Sequence, residues 1–399
     1  MQRRQFIRVA GGGAIVAASA SSLVACSTDV PAEAVAAWSG PNPGETDVRR
    51  WILSHAILAP HSHNLQSWLV DLAKPDEITL YLDRGPGRLL PETDPWSRQM
   101  MLSQGTFLEL LDLAARQKGL RADITLFPQG QFGPQTVDGR PTAHIRLTPD
   151  TSVQTDALFA EIFKRRTNRE AYEAKEPSAQ SVQAITASVA SFTRAAGADL
   201  AMRVGFARGA QEQVMQQHRA IAAEAFRIET VTPRTMLESF KVLRVGPSEI
   251  AQHRDGIAMM SPMVRALVAA GLFDRNKPPK ADDAAVTGQI KDFNAKIATT
   301  PAFFWLITEG NDRKTQINAG RAYVRAQLAA TAQGLSMQPL SQALQEYPEQ
   351  AQTYADIHQL LQAPAPRYTV QMWTRLGYAR PIGPSPRRGL ESHLIKKQT

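Results

Sequence analysis

The amino-acid sequence predicts an α+β protein made of two similar sheet-and-helix halves, and three observations predict it. Stretches that alternate apolar and polar residues are interspersed with stretches of helical period along the chain. Two of the helical stretches are long enough to cover a sheet. Those two also match each other at one spacing. Gly105, Leu113-Ala114-Ala115 and Gly119-Leu120 in the first recur as Gly320, Leu328-Ala329-Ala330 and Gly334-Leu335 in the second, each 215 residues later. Self-similarity at a fixed offset marks duplication. A mid-helix glycine lets another backbone approach closely, and a glycine past the last turn suits the left-handed position that closes a helix. The expected architecture is two units fused into a mimic of a homodimer, acting as a monomer.

Residues 1–25 stand apart from the fold. Met1-Gln2-Arg3-Arg4-Gln5-Phe6-Ile7-Arg8 sets adjacent arginines ahead of an aromatic, an aliphatic residue and a base. A weakly apolar run from Val9 to Val24 follows, too short and small-residued to span a bilayer. It closes as Leu23-Val24-Ala25-Cys26-Ser27, and Cys26 is the only cysteine, so no internal disulfide is possible. The pattern resembles a twin-arginine export signal ending in a lipobox. That resemblance implies a periplasmic protein anchored to a membrane through lipid on Cys26. The route moves folded proteins, often ones already loaded with a cofactor. Removing the three arginines takes the net charge from +8 to about +5. No Lys/Arg run interleaves with aromatics, so no nucleic-acid partner is expected.

Residues 26–45, rich in Pro, Gly, Ala and Ser, read as a tether. The first half is placed at 46–150. It opens with a helix over Val48–Leu58, whose Trp51, Ile52, His55 and Leu58 share a face. Strands follow at Trp68–Leu72 and Ile78–Leu82, then the long helix Gln99–Lys118, then strands Ile124–Phe127 and His144–Leu147. The second half, 151–399, contains strand Ala201–Phe206, helix Ala210–Ile228, the apolar strand Phe303–Thr308, the long helix Gln316–Gln333 and strand Tyr368–Leu376. Residues 227–280, with Pro247, Gly256, Pro262 and Gly271, read as a lid.

Two groups of residues carry chemistry. Leu58-Ala59-Pro60-His61-Ser62-His63-Asn64-Leu65-Gln66-Ser67-Trp68 lies between a helix and a strand. Its proline stops the helix, and a short loop presents hydroxyl, imidazole and carboxamide groups. Such a loop suits a flat heteroaromatic ligand, proline against the ring and Ser/Asn on its edge. Phe163-Lys164-Arg165-Arg166-Thr167-Asn168-Arg169-Glu170-Ala171-Tyr172 gathers three arginines around a hydroxyl. Guanidinium forks bind phosphate bidentately and the threonine adds a neutral donor. Alone, such a basic cluster fits a solvated helix end.

Taken together, the two motifs resemble the nitroreductase family, whose Ala-Pro-Ser-x-x-Asn-x-Gln-Pro-Trp loop lies at the isoalloxazine of FMN. Ala59-Pro60, Ser62, Asn64, Gln66 and Trp68 keep that pattern, and Ser67 stands where the family has proline. The resemblance implies a nitroreductase-like fold with FMN as cofactor. Pro60, Ser62, Asn64 and Gln66 would sit at the ring, and Arg165, Thr167 and Arg169 at the phosphate and ribityl chain. Met337, Gln338 and Pro339, after the second long helix, match the segment beside flavin N5. In Pro384-Ser385-Pro386-Arg387-Arg388 the favoured phosphate ligand is Arg388. No side chain need act as acid or base, so no catalytic residue is named, and His61-x-His63 has no third ligand near enough in sequence to argue for a metal.

The motif order departs from the family's. The arginine motif there precedes the Ala-Pro-Ser loop within one short stretch. Here Arg49-Arg50 lacks the hydroxyl, and Ala184–Leu200 has no such loop. One complete site between the halves is expected, and the other is vestigial, as in the Acg-like branch of the family. The implied activity is two-electron transfer to a small acceptor of quinone or nitroaromatic type. NAD(P)H is not expected outside the cytoplasm, so the donor would be a membrane or protein partner. The alternative is a lipoprotein that stores, buries or senses flavin without turnover.

Overall fold

The computed structural model describes residues 30–195 and 201–396. The export segment and Cys26 lie outside the described residues. The chain opens with α1 (Ala32–Val35) and α2 (Val48–Ala56), the latter started by Asp47, whose carboxylate accepts from the Arg49 N–H. The helix ends two residues before the expected limit, ahead of Pro60. Strands β1 (Trp68–Asp71) and β2 (Glu77–Leu82), helix α3 (Arg98–Gln117), and strands β3 (Leu120–Leu126) and β4 (Ala143–Pro149) complete the first unit. The second begins with α4 (Ala179–Ala195) and β5 (Met202–Arg208). An insertion then carries α5 (Glu212–Val231), α6 (Pro233–Lys241), β6 (Leu243–Val245), α7 (Gly246–His253), β7 (Ile257–Met259), α8 (Pro262–Ala269) and α9 (Ala284–Ala298). Strand β8 (Ala302–Glu309), helix α10 (Arg313–Ala332), strand β9 (Ser336–Pro339), helix α11 (Ala351–Leu360) and strand β10 (Tyr368–Gly377) follow.

Each half forms a four-stranded antiparallel sheet of the same order. The first runs β1-β2-β4-β3 and the second β5-β8-β10-β9, so strands correspond one to one in order of appearance. The halves differ between their first two strands. Residues 72–76 join β1 to β2, whereas the whole insertion separates β5 from β8.

Helices α3 and α10 cross at the two matched glycines. A Cβ on Gly105 would collide with the Ile317 carbonyl, and one on Gly320 with the Leu102 carbonyl. Leu102 and Ile317 are themselves 215 residues apart, so the contact is reciprocal about an internal two-fold, as in an isologous dimer. Both helices close on left-handed glycines, Gly119 at φ 66° and Gly334 at φ 69°. Every residue of α3 from Arg98 to Ala115 is buried, as befits a helix enclosed on all sides. Arg321 and Arg325 of α10 reach Glu109 of α3 at 2.8 and 2.9 Å, and Arg325 also holds Asp156 at 2.6 Å.

The first core gathers Trp68, Leu80, Phe107, Leu111 and Ile145 together with Ile317, Val324 and Leu328 of α10. The second sheet is covered on both faces. Phe303, Ile307 and Trp373 meet the insertion side, while Phe304, Leu306 and Leu376 meet α4 and α10. This explains why β8 is an unbroken apolar run rather than an alternating one.

Two boundaries differ from expectation. The tether was placed over 26–45, but residues 31–39 are packed: α1 lies against α7, and the Trp38 indole N–H donates to the Ser385 carbonyl at 2.8 Å. Ala34 is fully buried and Trp38 half-buried in that segment, apolar surface that a solvated tether would leave in water. The end of the chain, assigned to the second half, returns to the first sheet. Leu394 bridges Val70, and the Ile395 N–H donates to the Val70 carbonyl at 2.9 Å. Unpaired edge strands recruit whatever backbone can reach them. Among the described residues no helix is long and apolar enough to cross a membrane.

Candidate functional site

The loop after α2 is held in an uncommon backbone shape. His63, Asn64 and Gln66 all take left-handed φ, at 48°, 56° and 55°. Such residues persist only where surroundings fix them. The surroundings are polar and specific. The Ser62 N–H donates to the Ser103 hydroxyl at 3.2 Å, and the Ser62 hydroxyl to Gln99 Oε1 at 3.0 Å. Thr106 donates to the Pro60 carbonyl at 2.7 Å, and the Ser67 N–H to His61 Nε2 at 3.1 Å. Gln66 is fully enclosed. Its amide donates to the Asn64 and Arg254 carbonyls, and its oxygen accepts the Arg388 N–H at 2.9 Å.

The arginines converge on this loop from two other parts of the chain. Arg165 donates to the Leu58 carbonyl at 3.1 Å, and Arg387 to the Ala59 carbonyl at 2.9 Å. Arg388 donates from its guanidinium to the Gln66 carbonyl. Arg165, Arg166 and Arg387 surround the Trp38 ring at 5.7, 4.5 and 5.7 Å. Among the described residues no carboxylate lies in ion-pair contact with Arg165, Arg166, Arg169, Arg387 or Arg388. The buried Nε atoms of Arg165, Arg166, Arg387 and Arg388 have no hydrogen-bond partner either.

This arrangement is costly without an anion. Burial pushes Arg165 and Arg388 down to about 10, and it pushes Arg387 well down too, with repulsion from Arg165 and Arg166 adding to the shift. Arg169 makes no hydrogen bond to the described chain. It is open to water but hemmed by protein, as a side chain lining a cleft is, and burial lowers it while Tyr323 and Tyr172 oppose the shift. Its charge also reaches His63, which burial and Arg169 together hold neutral at about 4. The Arg165 hydrogen bond to the Leu58 carbonyl sets the arginine motif beside the loop that carries His63, so the two predicted motifs are neighbours. The Tyr323 hydroxyl and Asn64 Oδ1, both buried beside this cluster, likewise lack partners.

The other expected residues fall in the same neighbourhood. Thr167 bridges Met337 in parallel, and the Asn168 N–H donates to the Met337 carbonyl at 3.3 Å. Gln338 accepts from Arg375 at 2.6 Å, and Pro339 lies opposite Thr374 in the second sheet. The side chains of Gln66 and Gln338 are therefore engaged by the protein, and Arg388 secures the loop's backbone. Arg387, Trp38, His63 and Tyr323 join the cluster without having been chosen from sequence. The Arg387-Arg388 doublet was the visible signal, but which arginine turns inward depends on the backbone there. A cleft of about 260 Å³ opens nearby, lined by Tyr172, Arg219 and Thr300, yet it includes no residue of the Ala59–Gln66 loop.

The insertion closes over the loop. The Gly256 N–H donates to the Asn64 carbonyl at 3.1 Å, and Asn64 Nδ2 donates to the carbonyls of Gly256 and Pro386. Asp255 pairs with Arg88 at 2.6 Å, and Glu238 accepts the Glu92 and Thr93 N–H groups at 2.9 and 2.8 Å.

No family model matches the chain. Over 361 residues, 87% of this chain and 90% of the relative, the sequence is 26% identical to the "Putative NAD(P)H nitroreductase" of Mycobacterium tuberculosis, in the CDC 1551 / Oshkosh and H37Rv strains alike. An uncharacterized protein of the H37Rv strain is 34% identical over 125 residues, 30% of this chain and 35% of its own length. Among solved structures, an FMN- and NADPH-dependent nitroreductase of sphigopyxis sp. strain HMH aligns with TM-score 0.37 and 17% identity, over 61% of this chain and 100% of its own. An FMN-dependent nitroreductase of Mycobacterium smegmatis in complex with NADPH aligns with TM-score 0.35 and 19% identity, over 60% and 96%. The sequence relatives matched along nearly the whole of both chains thus carry the nitroreductase name.

Proposed function

We propose that this chain is an oxidoreductase of the nitroreductase family that binds one FMN between its halves and delivers two electrons to a quinone-like or nitroaromatic acceptor. One observation carries the reading: five arginines, none in ion-pair contact with a carboxylate among the described residues, gather about a loop of left-handed backbone at the junction of the halves. A buried cation needs a counter-charge, and a phosphate dianion with its aromatic ring fits both parts. When bound, FMN supplies hydride-equivalent transfer that no side chain here provides. Arg165, Thr167 and Arg169 hold the phosphate, joined by Arg387. Ser62 and Asn64 address the ring edge, and the Met337–Pro339 backbone flanks it. The surplus positive charge favours the reduced, anionic state of such a ligand. His63, neutral at physiological pH, lines the cleft without adding to that charge.

We further infer that the protein works outside the cytoplasm as a monomer of the single-site Acg-like branch, anchored through Cys26. Its electrons then come from a membrane or protein donor. A second reading is favoured by the insertion clamped over the loop: a lipoprotein that buries or senses FMN. The deciding measurement is an absorbance spectrum of protein purified without added flavin. A band near ~450 nm is expected for a bound flavin, and colourless protein would sink both readings. Photoreduction followed by rapid reoxidation with a quinone supports the enzyme, whereas a flavin inert to the acceptor leaves only the storage reading.

A further inference from the structure

Four large apolar side chains are exposed among the described residues, and three of them, Ile257, Met263 and Leu272, belong to one part of the insertion. Met263 is 73% exposed and Leu272 75%. Helix α8 turns Val264 and Val268 inward onto Phe240, Leu243 and Val245. That leaves Met263, Ala266 and Ala269 facing out, continued by Ala270 and Leu272. Single exposed hydrophobics are ordinary, but two large ones on an apolar tip flanked by bases have the form of an interfacial element. Residues 254–280 contain Arg254, Arg265, Arg275, Lys277 and Lys280 against Asp255 and Asp274. Asp255 is already taken by Arg88 and Arg244, Arg275 is paired with Glu249 and Lys277 with Asp274, so Arg254, Arg265 and Lys280 are the bases of this segment without a carboxylate partner among the described residues.

The chain's entry point supplies the second observation. Helix α1 packs on α7, and α7 and α8 both pack on β6 of the insertion. Three residues, Ser27 to Asp29, separate Cys26 from Val30, so Cys26 lies within ~14 Å of the place where the described chain begins. We propose that the α8 face, with Met263 and Leu272 at its tip, rests in the headgroup layer of the anionic membrane that holds the Cys26 anchor. The occupant is a lipid surface. This rests on the anchor inferred above.

The test uses residues 26–399 with Cys26→Ser and an N-terminal hexahistidine tag, tethered to vesicles of phosphatidylethanolamine, phosphatidylglycerol and a nickel-chelating lipid. Met263→Cys, labelled with a polarity-sensitive fluorophore, is expected to shift to the blue on tethering and to be quenched by a lipid-borne quencher. The same label at Thr186→Cys, exposed on α4, is expected to do neither. On vesicles of the same two phospholipids without the nickel lipid, Met263→Glu/Leu272→Glu is expected to bind at least tenfold less than the parent, with its spectrum unchanged. A label at position 263 that stays water-like and unquenched overturns the proposal. So does a dimer in solution that buries it. Acyl-free Cys26 in the producing cell would instead defeat the anchor, a result read separately by mass spectrometry.

Discussion

The two halves share a skeleton and differ in where their charge is balanced. Arg49, at the head of α2, pairs with Asp47 at 2.7 Å and donates to the carbonyls of Leu72 and Lys74. Arg50 pairs with Glu45 at 2.8 Å and with Glu391. Ahead of α4, the corresponding first helix of the other half, Arg165 and Arg166 find carbonyls and the Trp38 indole, Arg169 makes no hydrogen bond, and none of the three pairs with an acid among the described residues. One arginine group has become part of the scaffold, while the other keeps a charge that the protein alone does not neutralise.

The largest effect should come from breaking what the halves have in common. Gly105→Val and Gly320→Val each drive a side chain into the opposing helix backbone, which has nowhere to move. Each should cost about 4 kcal/mol or more in urea unfolding, and by nearly the same amount, because an internal two-fold relates the two contacts. A large loss for only one of them would break the equivalence of the halves.

A smaller effect separates the arginine groups. Arg169→Ala should weaken flavin binding tenfold to a hundredfold, since a hydrogen bond to a charged partner contributes about 1.5–3 kcal/mol. The flavin-free protein should be no less stable, because an unneutralised charge has been removed. Arg50→Ala should do the reverse: full flavin occupancy and a loss of up to about 1 kcal/mol, its ion pairs being partly exposed. Equal flavin retention in the two variants would refute the division of labour between the halves.

Much of the fold was legible because it is local. Every expected strand and both long helices have structural counterparts, since alternation and helical period are written in neighbouring residues. The 215-residue offset exposed the glycine crossing, because only a glycine admits so close an approach. The packed Trp38 segment and the returning Leu394 strand were not legible. Each is stabilised by residues over three hundred positions away, with no local pattern to announce it. At the site, the clustering of motifs was readable from residue type. That Gln66 would be a fully enclosed clasp was not, because the same amide serves a ligand or a loop equally well. Arg387 was passed over for its neighbour for the same reason: a doublet states that guanidinium is present, and only the backbone decides which one turns inward.

The smallest effect concerns protons. Burial holds His63 down to about 4, with Arg169 adding to the shift, and burial alone holds His218 down to about 3. Both are neutral when folded, whereas in the unfolded chain they titrate near the ordinary ~6.5. Below that pH the unfolded state takes up protons that the folded state refuses, so stability falls as pH drops from about 6.5 toward 4. Asp94, pushed up to about 7 by burial and by Glu346, acts in the opposite sense, so single-residue differences are the clean measure. At pH 6 one histidine's share is a little under about 1 kcal/mol. His63→Gln should remove that share from the urea midpoints measured between pH 7.5 and 5. In Arg169→Ala the histidine loses a repelling neighbour, so its own titration, followed by NMR from about pH 7 down to about pH 3, should move up toward the unfolded value. His218 has no such neighbour, and its contribution should be the same in either background. An unmoved His63 titration in Arg169→Ala would mean that the charge of Arg169 does not reach the ring loop.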